Sequence, residues 1–127
     1  MNSPLINLMS AAAIKAGKKL LRDFGEVDQL QVSRKGTANF VTESDVRTEK
    51  LLKRELAKIR PNAGFLLEEE GEIIGRDAGH RWIVDPLDGT SNFIHAIPYF
   101  CISIALEKRE ASSSEIIAAV TFDPIHN

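Results

Sequence analysis

The chain has 127 residues, 43% of them apolar and 27% charged, the composition of one soluble globular domain or of a piece of a larger one. Sixteen basic against eighteen acidic side chains leave a net charge of −2, which gives no electrostatic case for nucleic acid as a main partner. The single cysteine, Cys101, excludes an intrachain disulfide and fits a reducing compartment.

No run reaches the roughly eighteen uncharged apolar residues of a membrane span. The first basic residue is Lys15, so the early basic region of a secretory signal is missing. The cluster up to Arg22, free of acids, is one feature of an organelle presequence, but the folded-helix reading is preferred because the same residues make one face of an amphipathic helix. A cytoplasmic protein is the default expectation.

In chain order, Ser3-Pro4 offers an N-cap and a first-turn proline. Leu5, Leu8, Met9, Ala12, Ala13, Ala16 and Leu20 then recur at helical spacing, which predicts an amphipathic helix ending near Gly25. "QLQV" reads as a short extended piece and "SRKGTANF" as a polar loop. A second helix is predicted from about Asp45, carried by Leu51, Leu52, Leu56 and Ile59 and stopped by "RPNAG". "GFLL" and "HRWIV" read as buried strands that deliver Glu68, Glu69 and Glu70 in one case and Asp85 in the other. After a turn and one helical turn, "YFCISIALEKR" and "EIIAAVTFD" read as two strands joined by the polar hairpin "EASSSE". The order predicts an α+β architecture, with helices layered on a largely antiparallel sheet. "FDPIHN" reads as a strand followed by an opening turn, as if residues 1–127 were the N-terminal part of one longer unit.

Acidic residues stand at three element boundaries: Asp45, Glu68 to Glu70, and Asp85 with Asp88. Each has an ordinary explanation, as a helix N-cap, a solvated edge and a pair of turn residues respectively. Together they would converge if both strands share a sheet. Close like charges cost on the order of 4 kcal/mol per pair at an effective dielectric of about 20. Protons or a cation must then offset them, and an all-oxygen set suits Mg²⁺, then Mn²⁺ or Ca²⁺. An EF-hand is excluded, because Leu87 and Ala96 fall where the third and twelfth ligands belong.

Within "RWIVDPLDGTSNF", Gly89 permits a sharp backbone excursion, and the amides of Thr90 and Ser91 can open a helical turn that accepts an anion. Acids beside an anion-binding turn suit phosphoryl transfer to water. The absence of a glycine-lysine phosphate loop argues against a kinase or ATPase. Cys101, His95 and Asn92 read respectively as a packed core thiol, an exposed or structural histidine, and a side chain that fastens the turn.

"WIVDPLDGTSNFIHAIPYFCISIAL" resembles the signature of the inositol monophosphatase family of Mg²⁺-dependent, lithium-sensitive phosphatases. "FLLEEEGE" resembles its strand with a metal-binding Glu-Glu pair, "KGTANFVTESDVRTEKLL" its loop and helix with a further catalytic Asp, and "AAVTFDPIHN" its next strand and turn. The resemblance implies the first part of an αβαβα fold shared with fructose bisphosphatases, the second half being absent. It implies hydrolysis of a phosphate monoester, inositol monophosphate first, using two or three Mg²⁺ ions or Mn²⁺, in a protein that can form a homodimer.

Carried over by position, Glu68, Asp85 and the carbonyl of Leu87 would bind one metal, and Asp85 and Asp88 a second. Asp45, Thr90 and Glu68 would form the catalytic set. Asp88, Gly89 and Thr90 would meet the phosphate and substrate, with Glu69, Lys35 and Ser91 in supporting positions. Asn39 replaces a common acid, and Ser91 a frequent threonine. The family's further aspartate for the second metal has no counterpart here. The alternative is therefore a truncated, non-catalytic remnant that serves as a dimerisation or binding module.

Overall fold

Ser3 opens the first helix by accepting the Ile6 amide on its hydroxyl at 3.1 Å, and Pro4 occupies the first turn. A computed structural model describes residues 3–33 and 36–126. In it α1 spans Pro4–Ser33 and α2 spans Thr37–Ile59. Five strands and a short helix follow: β1 (Ala63–Leu67), β2 (Gly71–Ile73), β3 (Asp77–Asp88), α3 (Thr90–Ile94), β4 (Cys101–Glu110) and β5 (Ser113–Phe122).

Helix α1 does not stop at Gly25, and "QLQV" is helical rather than extended. The apolar stripe continues past the glycine. Val27 is fully buried, Phe24 meets the rings of Phe93 and Phe100 at 5.5 and 5.1 Å, and Gln31 donates to the Ile94 carbonyl at 2.8 Å. These contacts outweigh the cost of about 1 kcal/mol that a mid-helix glycine carries. Further back, α1 runs so close to β5 that a Cβ on Gly17 would lie 2.5 Å from the Phe122 ring.

Helix α2 also starts earlier than its leucines indicate, so Thr37 to Phe40 of the anticipated loop are helical and Asp45 lies inside the helix rather than at its N-cap. Its buried face is apolar at both ends, with Val41, Leu52 and Leu56, and polar in the middle, where Ser44, Asp45, Thr48 and Glu49 are at most 5% exposed. Ser44 donates its hydroxyl to Asp23 of α1, which also pairs with Lys19 at 2.9 Å. That polar link ties the two helices together above the sheet.

The strand order is β2-β1-β3-β4-β5, with β1 and β3 parallel and the other neighbours antiparallel. Strand β2 has no counterpart in the sequence expectations. It is three residues long, below the length at which alternation can be recognised. The helices cover one face, where Trp82, Ile102, Ile104 and Leu106 are at most 1% exposed. On the other face, register aligns Leu66, Ile83, Ala105 and Ala119 in a row across four strands. All four remain at least partly exposed.

Candidate active site

The parallel pairing of β1 with β3 decides where the acids meet. Leu67 lies opposite Val84, so both strands leave the core at the same edge, one into Glu68 and the other into Asp85. Carboxyl ends of neighbouring parallel strands are the usual place for a ligand site in an open sheet. The carboxyls of Glu68 and Asp85 interact there, and that interaction raises the pKa of Glu68.

Helix α2 supplies the third element. Asp45, Glu49 and Lys53 recur every fourth residue and face the turn after β1. Glu49 accepts the Glu69 and Glu70 amides at 3.0 and 3.1 Å, and Lys53 pairs with the Glu70 carboxylate at 3.0 Å. With the turn held against the helix, Asp45, Glu68 and Glu69 bring one carboxylate oxygen each to within 4.8 Å of one another.

The electrostatics match that crowding. Asp45, 5% exposed, has its pKa raised to about 7 by burial and by the charges of Glu69, Asp85 and Glu49. Glu68 is also raised to about 7, by desolvation, by its interaction with Asp85 and by the neighbouring carboxylates. One oxygen of Asp45, Oδ1, is buried without a hydrogen-bond partner in the protein. A site composed of oxygen donors, with excess negative charge and an orphaned carboxylate oxygen, fits a hard divalent cation.

Beyond Asp85 the strand leaves register. Asp85 faces Ser103, but Asp88 already faces Cys101. Asp85 Oδ1 accepts the Leu87 amide at 3.2 Å, and the Leu87 carbonyl accepts the Thr90 hydroxyl at 3.2 Å. Gly89 then adopts φ 100° in the left-handed region and caps α3. A Cβ there would lie 2.9 Å from the Tyr99 carbonyl oxygen and 3.2 Å from Phe100. Asn92 fastens the turn by donating to the Tyr99 carbonyl at 2.8 Å, and buried Phe93 anchors α3 between Phe24 and Phe100.

The structure therefore brings Asp45, Glu68, Glu69 and Asp85 together and places Leu87, Asp88, Gly89 and Thr90 on the adjoining turn. Asp88 is exposed and stands outside the three-carboxylate group, and its carboxylate accepts a long hydrogen bond from the Cys101 thiol at 3.8 Å. Ser91 is exposed, and its carbonyl accepts from the His95 ring at 2.8 Å. Lys35 lies outside the described residues. Cys101 is half-buried beside this turn rather than packed in the core. Burial and the Asp88 charge push its thiol pKa up, which disfavours the thiolate. Glu49 was missed in the sequence. Its only signal there is its spacing of four residues from Asp45 on one helix face. A separate cavity of about 500 Å³ lies near the opposite end of β3, around Gly64, Gly79, Arg81 and Arg109. Its cations are paired with Glu72 and Glu107.

Fold and site together define a layered α+β protein with an acidic, oxygen-lined centre beside a glycine turn. The sequence profile of the inositol monophosphatase family matches residues 1–127, and the chain belongs to that family. It is 56% identical over 122 residues to an inositol-1-monophosphatase of Rhizobium meliloti (strain 1021), covering 96% of this chain and 44% of the relative. It is 37% identical to the Nus factor SuhB of Escherichia coli (strain K12), covering 98% and 45% respectively. Among solved structures, the extragenic suppressor protein suhB of Bartonella henselae superposes with a TM-score of 0.81 at 47% identity, over 97% of this chain and 45% of that one. Inositol monophosphatase from Anabaena (Nostoc) sp. PCC 7120 gives 0.75 at 28% identity, over 97% and 41%. The chain thus spans less than half the length of these relatives. No helix among the described residues is long and apolar enough to cross a membrane.

Proposed function

We propose that the protein hydrolyses a phosphate monoester of a small polyol, inositol monophosphate first, with Mg²⁺ as cofactor and Mn²⁺ as a substitute. The observation that carries this reading is the meeting of Asp45, Glu68 and Glu69 within 4.8 Å, next to Asp85 and one turn from a left-handed glycine. Glu68, Asp85 and the Leu87 carbonyl would hold one cation, and Asp85 with Asp88 a second. Glu69 lies close enough to join the first set. Bound cations would polarise the phosphoryl oxygens, lower the pKa of water and neutralise the leaving oxygen.

The chain's own groups do the rest. The Gly89–Thr90 turn presents the first amides of α3, which lack intrahelical partners, to a phosphate. The Thr90 hydroxyl, fixed by its bond to the Leu87 carbonyl, keeps its lone pairs available to orient a water. Asp45 offers the unpartnered oxygen Oδ1 as acceptor for that water's proton. A cytoplasmic location, inhibition by lithium and homodimer formation belong to the same reading.

A second reading, a non-catalytic module, draws on the partly exposed row Leu66, Ile83, Ala105 and Ala119. A sheet face left open in this way favours association with another polypeptide. The deciding experiment is phosphate release from inositol 1-phosphate by the purified chain, with Mg²⁺ and with chelator. Turnover that needs Mg²⁺ and disappears in Asp85→Asn supports the phosphatase. No turnover by a folded chain that binds Mg²⁺ supports the module.

A further inference from the structure

Glu49 is 1% exposed, and both of its carboxylate oxygens are engaged by one stretch of backbone. Oε1 accepts the amide of Glu69 at 3.0 Å and Oε2 the amide of Glu70 at 3.1 Å. No other neutral or charged side chain does this job from a helix at the same reach. Gln offers one acceptor oxygen and turns an NH₂ donor towards the other amide, and Asp is one methylene short. The arrangement also carries a cost, because Glu49 adds to the negative charge that raises the pKa of Asp45. Closing the turn alone does not require a buried carboxylate beside an acidic centre, where its charge has to be offset.

We infer that Glu49 is a positioning residue for the metal centre: it fixes the Glu69 and Glu70 amides to α2, and so sets the separation between Asp45 on the helix and Glu68 and Glu69 on the strand exit. This rests on the metal-dependent reading above. Asp45 precedes Glu49 by one helical turn, so the same rigid element carries the proton acceptor and grips the backbone next to the ligand candidates Glu68 and Glu69. The charge-assisted bonds to two consecutive amides fix both the distance and the twist of the turn. Lys53, one turn further on, pairs with Glu70 at 3.0 Å and guards the outer side of the same grip. Partners that orient a metal-binding shell characteristically change metal affinity by roughly 10–100-fold when altered.

The test separates grip from charge with two variants. Glu49→Gln keeps the length and loses the charge and one acceptor. Glu49→Asp keeps the charge and loses the reach. Mn²⁺ is titrated into each and into the unsubstituted chain by calorimetry, with thermal melts and amide spectra establishing that each is folded. The inference predicts a loss of roughly tenfold or more in Mn²⁺ affinity for both variants. Wild-type affinity in Glu49→Asp overturns it, since charge alone would then account for Glu49. If the variants do not fold, hydrogen exchange in the unsubstituted chain decides. The Glu69 and Glu70 amides must be strongly protected although their side chains are exposed, and rapid exchange there overturns the grip. No saturable Mn²⁺ binding by the unsubstituted chain strikes the metal-dependent reading itself, and this inference with it. Binding with unchanged variants strikes only the inference.

Discussion

Asp45 of α2 and Glu69 of the turn after β1 approach with carboxylate oxygens within 4.8 Å, although they belong to different layers of the fold. The helix delivers one from above the sheet, and the strand exit delivers the other from its edge. Carboxylates held this close by two separate elements fit a shared hard cation.

The first consequence is a pH dependence of stability in the absence of metal. Asp45 and Glu68 have folded-state pKa values raised to about 7. Their stabilising contribution is therefore complete below the unfolded carboxylate range and is lost as pH rises through about 7. Asp77 works the other way, because hydrogen bonds from His80 and the Gly79 amide hold it below its ordinary value. Its contribution is lost only at acid pH. With chelator present, the melting temperature is expected to rise as pH falls from 8 to 5. The rise shrinks in Asp45→Asn, and Mg²⁺ at pH 8 removes most of it. Thermal melts across that range measure all three.

Gly89→Ala tests the phosphate turn. The residue sits at φ 100° with the Tyr99 carbonyl oxygen 2.9 Å from where a Cβ would be. A cost of about 1–2 kcal/mol is expected from left-handed strain and crowding. Urea unfolding gives that number, and weaker inorganic phosphate binding by the folded variant should accompany it.

Phe24→Ala tests the second half of α1. The ring meets Phe93 and Phe100 and is half-buried, so a loss of about 2–3 kcal/mol is expected, below the full range for a buried aromatic. Amide exchange should quicken from Phe24 towards Ser33 and across α3 while the first half of α1 stays protected.

Ile83 and Val84 are neighbours on β3 that face opposite ways. Val84 is 4% exposed under the helices, and Ile83 belongs to the open row. Val84→Ser is expected to cost at least about 2 kcal/mol, through lost packing and a buried hydroxyl. Ile83→Ser should cost under about 1 kcal/mol, and the reading of the open row as an association surface predicts that it lowers self-association. Urea unfolding and light scattering compare the pair.

What was legible in the sequence follows from which residues carry simple periodicity. The alternation in "YFCISIALEKR" and "EIIAAVTFD" revealed the β4–β5 hairpin, and "WIVDPLDGTSNF" revealed the strand, turn and helical turn that carry Asp85 to Phe93. The start of α2 was hidden because Val41, the buried apolar residue near its beginning, is cut off from Leu52 by polar residues on the same face. A stripe through Ser44, Asp45, Thr48 and Glu49 does not register as apolar spacing. The continuation of α1 was hidden by Gly25, whose propensity was overridden by contacts made by Phe24, Val27 and Gln31 far along the chain. Glu49 could not be found from composition, since its role is to backbone amides that only the tertiary fold supplies.

The most direct test of the central claim is calorimetric titration of Mg²⁺ into the purified chain at pH 7.5, beside Asp85→Asn and Glu68→Gln. Saturable binding by the unsubstituted chain that either substitution weakens at least tenfold is the predicted result, consistent with the loss of a carboxylate from a compact oxygen site. Absence of binding, or binding that neither substitution changes, would contradict the assignment of these acids to a metal centre.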